Sequence, residues 1–340
     1  MLQVKMPEAY KIENLDIPVP EIKDHEVLIK MKTIGICGSD IQIYHGLHKY
    51  MSFPVVQGHE GAGIIEKTGA AVTQFKAGDK VTIQPQIFCG ECQPCLSGNE
   101  NVCENIAVYG VHTDGMAQDY IAMPESVVVK LSDSMDYETG AFVEPVSVAV
   151  GAIRRCGDVM GQNIVVLGAG PIGNLVAQVA DADGAEVLIT DINDKKLKLA
   201  EECGIPHTRN TKDTDLRTAI ADQFGKRGAD IIIDCAAVTP SILSAINAAR
   251  PASKIVVVGN FKKPVEIELP MIQRQSIDII GVMMYVRRDY EKAIRLMSEG
   301  RVVVDKMVTT SYPVTDFEKA YRFIDENPLD VMKILMKFND

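Results

Sequence analysis

From Gly161 onward, short apolar runs of β-forming residues alternate with longer amphipathic runs. Strands that are apolar along their whole length are typical of a parallel sheet, and the amphipathic runs supply the helices that cover both of its faces. The predicted strands are 163–167, 186–190, 229–234 and 254–258, and the predicted helices are 171–183, 195–203 and 240–249. The alternation therefore predicts an α/β domain built on a parallel sheet.

The first strand of this domain leads into the sequence VVLGAGPIG, whose glycines have the spacing G-x-G-x-x-G. In a strand–turn–helix context, such glycines let the pyrophosphate of a dinucleotide approach a helix N-terminus. The predicted cofactor loop consists of Gly168, Gly170, Pro171, Ile172 and Gly173. Asp191, at the end of the next strand, would bind the ribose hydroxyls and repel a 2′-phosphate, which favours NAD over NADP. A structural turn without a ligand is the alternative.

A second feature is the loop CGECQPCLSGNENVC, residues 89–103. Its four cysteines are Cys89, Cys92, Cys95 and Cys103. Thiolates are soft ligands, and four of them on a short loop suit a tetrahedral Zn²⁺. Disulfides are the alternative, but cysteines at every third residue crowd each other as disulfide partners. The loop therefore predicts a structural zinc site, closed by four thiolates.

The first half of the chain has β-leaning runs at 26–36, 55–68 and 80–87, separated by glycines. The motifs GICGSD and GHEGAG lie at ends of these runs and contain Cys37, His59 and Glu60. One thiolate, one imidazole and one carboxylate would give Zn²⁺ three protein ligands and an open fourth position, which is the catalytic arrangement. Taken singly, a buried thiol, a core histidine and a solvated carboxylate would each be ordinary. Their occurrence beside a predicted structural zinc and a dinucleotide motif favours a catalytic zinc.

Composition excludes several classes of function. The 340 residues carry a net charge of −11 without a basic run, which argues against a nucleic-acid partner. The longest apolar stretch, 163–180, is interrupted by glycines and a proline, so we expect no membrane span. The N-terminal segment lacks the apolar region of a signal peptide. Eight cysteines without an export signal predict reduced thiols and a cytoplasmic protein.

Taken in order, GICGSD, GHEGAG, the Cys89–Cys103 loop, VEPVSVA at 143–149 and VLGAGPIG resemble the zinc-containing medium-chain alcohol dehydrogenases, most of all the sorbitol (polyol) and L-threonine dehydrogenase branch. The resemblance covers essentially the whole chain. It implies a GroES-like, β-rich catalytic domain formed by residues 1–148 with 284–340. It also implies a Rossmann domain, a doubly wound parallel sheet that binds NAD, over residues 149–283.

The resemblance also implies a set of metal ligands. Cys37 and His59 match the family's catalytic-zinc ligands, and Glu60 matches a glutamate that binds or closely approaches the metal. Glu144 in VEPVSVA stands where classical alcohol dehydrogenases have a second cysteine ligand. Together with the four-cysteine loop, this predicts two zinc ions per chain, one catalytic and one structural.

Other positions match residues that act beside the metal and the cofactor. Ser39 matches the hydroxyl that passes the substrate proton onward, and Asp40 is expected to orient the His59 imidazole. Lys196 matches a lysine near the adenosine ribose. Relatives are dimers or tetramers, so the resemblance implies a homo-oligomer.

Two positions depart from the family pattern. Many relatives have a histidine three residues after the relay hydroxyl, where this chain has Gln42; His45 is either a substitute proton carrier or a surface residue. Met284 stands where polyol dehydrogenases place a substrate-contacting arginine, which makes sorbitol itself a doubtful substrate. Cations that could instead serve an acidic substrate are Lys49, Arg287 and Arg288.

The sequence thus predicts a zinc-dependent enzyme that transfers hydride from a secondary alcohol of a polyol, sugar or sugar acid to NAD⁺. L-Threonine or a vicinal diol is the alternative substrate. A non-catalytic NAD-binding scaffold and a zinc hydrolase are alternatives of other classes. The joint presence of Cys37, His59, Glu60 and Ser39 opposes the scaffold, and the glycine loop with Asp191 opposes the hydrolase.

Overall fold

The structure is a computed structural model that describes residues 1–339, and this part of the chain contains eighteen strands and eleven α-helices. The strands are β1 (Leu2–Glu8), β2 (Lys11–Asp16), β3 (Glu26–Gly35), β4 (Val55–Val56), β5 (Glu60–Thr68), β6 (Lys80–Ile83), β7 (Gln86–Ile87), β8 (Ala107–Val108), β9 (Tyr120–Pro124), β10 (Val128–Lys130), β11 (Asn163–Leu167), β12 (Glu186–Asp191), β13 (Thr208–Asn210), β14 (Ile231–Asp234), β15 (Lys254–Val257), β16 (Asp278–Gly281), β17 (Val308–Pro313) and β18 (Lys333–Lys337). The helices are α1 (Gly38–Tyr44), α2 (Gln93–Leu96), α3 (Tyr137–Ala141), α4 (Val143–Cys156), α5 (Pro171–Ala182), α6 (Asp194–Glu202), α7 (Leu216–Phe224), α8 (Thr239–Ala248), α9 (Leu269–Gln275), α10 (Arg287–Ser298) and α11 (Phe317–Glu326). Short 3-10 turns occur at Glu100–Val102, Glu125–Val127, Gly225–Arg227, Asp305–Met307 and Val314–Asp316.

The chain divides into two units. The first contains Met1–Glu144, Val286–Tyr290 and the chain from Val308 onward; the second contains Pro145–Tyr285 and Glu291–Met307. Helix α10 is thus shared between the two units. The predicted domain limits of 1–148 with 284–340, and 149–283, stay a prediction.

The first unit is built around a sheet with the strand order β10-β6-β5-β3-β18-β17, in which β9 also pairs with β3. A smaller sheet has the order β2-β1-β4. The C-terminal strand β18 lies antiparallel to β3, with Leu335 opposite Gly35, and β5 lies on the other side of β3, with Glu60 opposite Gly35. The end of β3 is therefore flanked by the start of β5 and by a strand from the far end of the chain.

The predicted strand 55–68 is interrupted in the structure at residues 57–59. The interruption has a backbone cause, because Gly58 adopts φ +95°. The backbones of Gly110 and Gly115 pack so closely on Gly58 that a Cβ at either glycine would lie 2.6 or 2.3 Å from the Gly58 carbonyl oxygen. The segment that carries His59 is thus a fixed, non-strand turn between β4 and β5.

The second unit contains a six-stranded sheet of order β13-β12-β11-β14-β15-β16 in which every described pair is parallel. Strand β11 is fully buried, and α5 buries most of its residues. The core between sheet and helices includes Val165, Leu188, Ile232, Ile246 and Ile255. The predicted fold class, a β-rich GroES-like unit with a Rossmann-type parallel sheet, is confirmed. No helix among residues 1–339 is long and apolar enough to cross a membrane.

Candidate active site

Three potential metal ligands meet where β3, α1 and β5 come together. One ligand atom each from Cys37, His59 and Glu60 lies within 4.8 Å of the other two. Cys37 precedes α1 as its N-cap residue, and Glu60 is the first residue of β5, opposite Gly35 of β3. The antiparallel pairing of β3 with β5 is what brings the two motifs together.

The two ring nitrogens of His59 face different partners. Nε2 lies 3.5 Å from Oγ of Ser39, and Nδ1 lies 3.5 Å from Oδ1 of Asp40. The second Asp40 oxygen accepts the backbone N–H of Cys37 at 2.9 Å. At 3.5 Å the His59–Asp40 contact is long for a hydrogen bond, but both atoms are buried and have no other partner among the described residues.

The groups around His59 favour the protonated form of its ring. Burial alone would lower the pKa of His59, but the charges of Asp40 and Cys37 outweigh burial and hold this pKa well above its usual value. A thiol, an imidazole and two carboxylates held this closely match the donor set of Zn²⁺. The residues present therefore suit a zinc ion, with Cys37 and His59 as the direct candidates.

Glu60 has a partner that the sequence did not reveal. Its side chain is buried, and Oε2 lies 2.5 Å from Nζ of Lys333 in β18. Lys333 is buried too and also donates to the carbonyl oxygen of Ile36 at 3.3 Å. Burial by itself would lower the pKa of Lys333, but the negative charges of Glu60 and Cys37 raise it. Lys333 is therefore a buried ammonium group beside the candidate metal ligands.

Glu144 lies in the first turn of α4 and is buried. Among residues 1–339, Glu144 is not part of the ligand group formed by Cys37, His59 and Glu60. Its charge acts on Lys333 and raises the pKa of that ammonium group. Binding of zinc by Glu144 stays a prediction.

A buried side-chain network supports the ligand turn. Tyr321 of α11 donates a short hydrogen bond to Oε1 of Gln57, and Nε2 of Gln57 donates to the Asp40 carbonyl oxygen at 3.0 Å. Tyr321 also stacks on Tyr44 of α1, with ring centroids 4.3 Å apart. This network joins α1, the turn before His59 and the C-terminal helix.

The four cysteines of the 89–103 loop also converge. Their Sγ atoms are separated by 3.4 Å for Cys92–Cys95, 3.5 Å for Cys89–Cys103, 3.8 Å for Cys92–Cys103 and 4.0 Å for Cys89–Cys95. A tetrahedron with Zn–S bonds of about 2.3 Å has sulfur–sulfur edges of roughly 3.8 Å. The backbone N–H groups of Glu91 and Cys92 lower the pKa of the Cys89 thiol to about 6, whereas burial and the neighbouring thiols raise that of Cys95 to about 12. The four sulfurs have the spacing that a structural zinc requires.

The glycine loop connects β11 to α5 in the second unit. Gly168 has φ +93°, and a Cβ at Gly173 would lie 1.8 Å from the Gly168 carbonyl oxygen. A Cβ at Gly170, the N-cap residue of α5, would meet nothing within 4 Å. Pro171 and Ile172 form the first helical turn after it. The loop therefore combines a tight turn with open space at a helix N-terminus, which suits a pyrophosphate.

A cavity of about 470 Å³ adjoins this loop; its lining includes Gly168, Asp191, Ile192, Thr211, Val238 and Ser241. Asp191 accepts three backbone hydrogen bonds, from Ala169 at 2.7 Å, Ile192 at 2.7 Å and Asn193 at 2.9 Å. These bonds fix the carboxylate in the cavity wall. Lys196 lies on α6 and does not line this cavity.

The structure also places the residues at which the sequence departs from the family. His45 pairs with Asp325 at 3.1 Å and stacks on Tyr10, so its ring is held at the surface. Arg287 donates to the carbonyl oxygens of Ser126 at 3.4 Å and Val128 at 2.7 Å. Because these contacts engage both side chains, His45 is not free to act as a proton carrier. Arg287 is likewise not free to bind an acidic substrate.

Comparison with known proteins identifies the family. Residues 23–133 match the alcohol dehydrogenase GroES-like domain, and residues 171–299 match the zinc-binding dehydrogenase domain. The chain is 34% identical to the 2-dehydro-3-deoxy-L-galactonate 5-dehydrogenase of Pseudoalteromonas atlantica, over 92% of each sequence. It is 34% identical to the sorbitol dehydrogenase of Bacillus subtilis, over 89% of this chain and 86% of that protein.

Among solved structures, an alcohol dehydrogenase from Escherichia coli CFT073 complexed with NADH superposes with a TM-score of 0.92, at 28% identity, over 99% of each chain. The chain belongs to the zinc-binding alcohol dehydrogenase family, within its polyol dehydrogenase branch. It is a dehydrogenase of the zinc- and NAD(P)-dependent kind.

Proposed function

We propose that this chain oxidises a secondary hydroxyl of a polyol, sugar or sugar acid to a ketone, with NAD⁺ as the hydride acceptor. The observation that carries the proposal is the convergence of Cys37, His59 and Glu60 within 4.8 Å, with Ser39 beside them. The relatives act on a deoxygalactonate derivative and on sorbitol, which supports a polyhydroxylated substrate.

In this proposal Cys37 and His59 hold the catalytic zinc, and Glu60 and Glu144 lie close to it. Zinc, when bound, acts as a Lewis acid that lowers the pKa of a hydroxyl group presented to it. The ammonium group of Lys333 compensates the negative charge of the Glu60 carboxylate. The side chains around the zinc site are therefore less negative than the Cys37 thiolate and the two glutamates alone would be. Less negative charge around the metal leaves more of the zinc charge to favour loss of the hydroxyl proton.

Ser39 and Asp40 have separate roles. Ser39 Oγ, next to the His59 ring, accepts the proton released by the substrate and passes it toward solvent. Asp40 holds the imidazole through Nδ1, which leaves Nε2 for the metal. Gln42 has no group that titrates near neutral pH, so it cannot replace a relay histidine.

NAD⁺ is proposed to bind at the glycine loop formed by Gly168, Gly170 and Gly173, and it supplies the hydride acceptor. Asp191 would accept the ribose hydroxyls and repel a 2′-phosphate, which supports NAD over NADP. The proposal that Lys196 lies near the adenosine ribose rests on the family resemblance alone.

We further propose a cytoplasmic homo-oligomer. The described cysteines are all free thiols, which suits a reducing compartment. Strand β16 is an edge of the parallel sheet with exposed side chains, and Ile279 within it and Met283 just after it are large exposed apolar residues. Such an edge is a natural surface for a second copy.

The experiment is an NADH-formation assay with zinc-loaded protein and a panel of xylitol, sorbitol, galactitol, L-galactonate, 2,3-butanediol and L-threonine. We expect oxidation of at least one polyhydroxylated compound, its loss after zinc chelation, and its loss in His59→Ala but not in His25→Ala, a change at an exposed histidine. Absence of NADH formation from every compound would contradict the proposal, and ester cleavage without NAD⁺ would favour a hydrolase. Turnover of threonine alone would assign the alternative substrate.

A further inference from the structure

Cys37 and His59 reach the candidate metal site from separate segments of the chain. Cys37 precedes α1, and His59 lies in the turn between β4 and β5. The contact between His59 and Asp40, which joins the two segments, is long at 3.5 Å. A metal site tolerates deviations of only about 0.2 Å in its ligand distances. The separation of the two segments therefore has to be fixed by other contacts.

Gln57 supplies a direct connection between these segments. Its backbone belongs to the turn that carries His59, and its Nε2 donates to the backbone carbonyl oxygen of Asp40 in α1 at 3.0 Å. The Gln57 side chain is buried, so this bond is shielded from water. Asp40 in turn accepts the Cys37 N–H at 2.9 Å through Oδ2 and faces His59 through Oδ1. Asp40 is thus the common partner of both ligand segments, and Gln57 fixes its backbone.

The partners of Gln57 determine the orientation of its side-chain amide. A backbone carbonyl can only accept, so the NH₂ group of Gln57 has to face Asp40. Oε1 of Gln57 then faces Tyr321, whose O–H donates a short hydrogen bond to it. Burial raises the pKa of Tyr321 well above its usual value, so the hydroxyl keeps its proton and remains a donor. The amide is therefore held in one orientation.

Helix α11 holds Tyr321 in a fixed place against α1. The Tyr321 ring is buried and stacks on Tyr44, with ring centroids 4.3 Å apart and ring planes 7° from parallel. His45, the residue after Tyr44, pairs with Asp325 of α11 at 3.1 Å. Two side-chain contacts thus join α1 to α11 beside the hydrogen bond to Gln57. The C-terminal helix is therefore part of the support of the metal-ligand segments.

We propose that Gln57 and Tyr321 are positioning residues that hold the segments of Cys37 and His59 at the separation required by zinc before the metal binds. The inference rests on the catalytic zinc of the proposed function and adds a determinant of zinc affinity that lies in α11. Neither residue is among the candidate ligands, and Gln57 acts through Asp40. Hydrogen-bonded residues behind metal ligands contribute about 10–100-fold to metal affinity, so this connection should have an effect of that order.

The test measures the zinc dissociation constant, by competition with a chelator, for the parent protein, Gln57→Met, Tyr321→Phe and the double variant. The zinc ion that His59→Ala fails to bind identifies the catalytic one. Tyr321→Phe keeps the aromatic ring but removes the hydroxyl. We expect each single variant to bind the catalytic zinc about tenfold or more weakly. The double variant should bind it no more weakly than Gln57→Met, because both residues act through one amide. Excess zinc should return NADH formation close to the parent rate.

Gln3→Met is the matched control for Gln57→Met. Gln3 is also buried, and its Nε2 donates to Oε1 of Gln118 at 3.0 Å, so its replacement removes a buried amide hydrogen bond as well. Both variants should lower the melting temperature, since each leaves a buried polar partner unpaired. Only Gln57→Met should weaken the binding of the catalytic zinc. Tyr312→Phe, at a partly buried tyrosine of β17, is the control for loss of a tyrosine hydroxyl.

Parent-like zinc affinity in Gln57→Met and Tyr321→Phe would overturn the inference. An equal loss of the catalytic zinc in Gln3→Met would overturn it too, because lower stability alone would then explain the effect. Additive losses in the double variant would mean that the two residues act independently, which also contradicts the inference. A parent protein that binds zinc through His59 but oxidises no compound of the panel would remove the proposed function and leave this inference intact. A parent protein without a zinc ion that depends on His59 would remove both.

Discussion

Nζ of Lys333 lies 2.5 Å from Oε2 of Glu60, and both side chains are almost fully buried. The two residues are 273 positions apart in the chain. A buried ion pair of this kind is costly to break, because removal of one partner leaves the other charge without compensation. The pair fixes the C-terminal strand β18 against the candidate metal ligands.

Replacing Lys333 with Met should destabilise the protein by about 3–5 kcal/mol, because Glu60 is then buried without a partner. The double variant Lys333→Met/Glu60→Gln should recover a large part of this loss. The measurement is urea unfolding. Lys337→Met, in the same strand, removes an exposed pair with Glu138 and should cost about 1 kcal/mol or less. Equal losses in the two lysine variants would contradict the buried-pair account.

Gly35 leaves room for the Glu60 carboxylate. A Cβ at Gly35 would lie 2.4 Å from Glu60 Oε2, whereas a Cβ at Gly38 would meet nothing within 4 Å. Gly35→Ala should therefore lower the free energy of unfolding by about 1–3 kcal/mol through overpacking. Gly38→Ala, at the start of α1, should be neutral or slightly stabilising, because alanine favours a helix. Similar unfolding curves for the two variants would refute the steric argument.

Two substitutions in the glycine loop should distinguish an effect on folding from an effect on cofactor binding. Gly173→Ala should lower the melting temperature, because its Cβ would lie 1.8 Å from the Gly168 carbonyl oxygen. Gly170→Ala should melt like the parent protein, since its Cβ meets nothing within 4 Å, but should bind NADH about tenfold or more weakly because the methyl group occupies the open space. NADH fluorescence titration and thermal melting distinguish the two effects. Normal NADH binding by Gly170→Ala would place the pyrophosphate elsewhere.

The four-cysteine loop should hold one zinc ion independently of the other site. Cys92→Ser should reduce the zinc content by about one ion per chain, because a closed site needs all four thiolates. The buried Cys203, outside the loop, provides the control Cys203→Ala. Elemental analysis of the purified proteins gives the stoichiometry. A parent protein with one zinc per chain that Cys92→Ser retains would exclude a zinc in this loop.

Ionisation of the Asp230 carboxyl should make the free energy of unfolding depend on pH. Burial raises the pKa of Asp230, but the Asn163 N–H at 2.7 Å and the guanidinium groups of Arg250 and Arg227 outweigh burial and lower it. A carboxylate with a lowered pKa stabilises the fold above its unfolded pKa of about 3.9, and this contribution is lost as the pH falls through the folded value. The difference in unfolding free energy between the parent protein and Asp230→Asn should therefore shrink below about pH 4. A constant difference from pH 7 to pH 3 would contradict this assignment.

Local patterns predicted those parts of the site whose residues are close in the chain. The cysteine loop, the glycine loop and the motifs around Cys37 and His59 each carry a spacing that a ligand imposes on a short segment. The strand β11 was predicted with its observed limits, because an uninterrupted apolar run has few alternatives. The break at Gly58 was missed, because it depends on Gly110 and Gly115, which pack against it from a distant loop.

The sequence by itself determined the family, the parallel sheet and the short motifs, because hydrophobic periodicity and ligand spacing are properties of neighbouring residues. Only the tertiary structure decided that Glu60 faces Lys333 and that Gln57 is bound by Tyr321. These relationships join residues from separate segments, and strand pairing and packing alone bring them together. A buried charge or a nitrogen without a hydrogen-bond partner leaves no pattern in the local sequence. Its role depends on the residues that the fold places next to it.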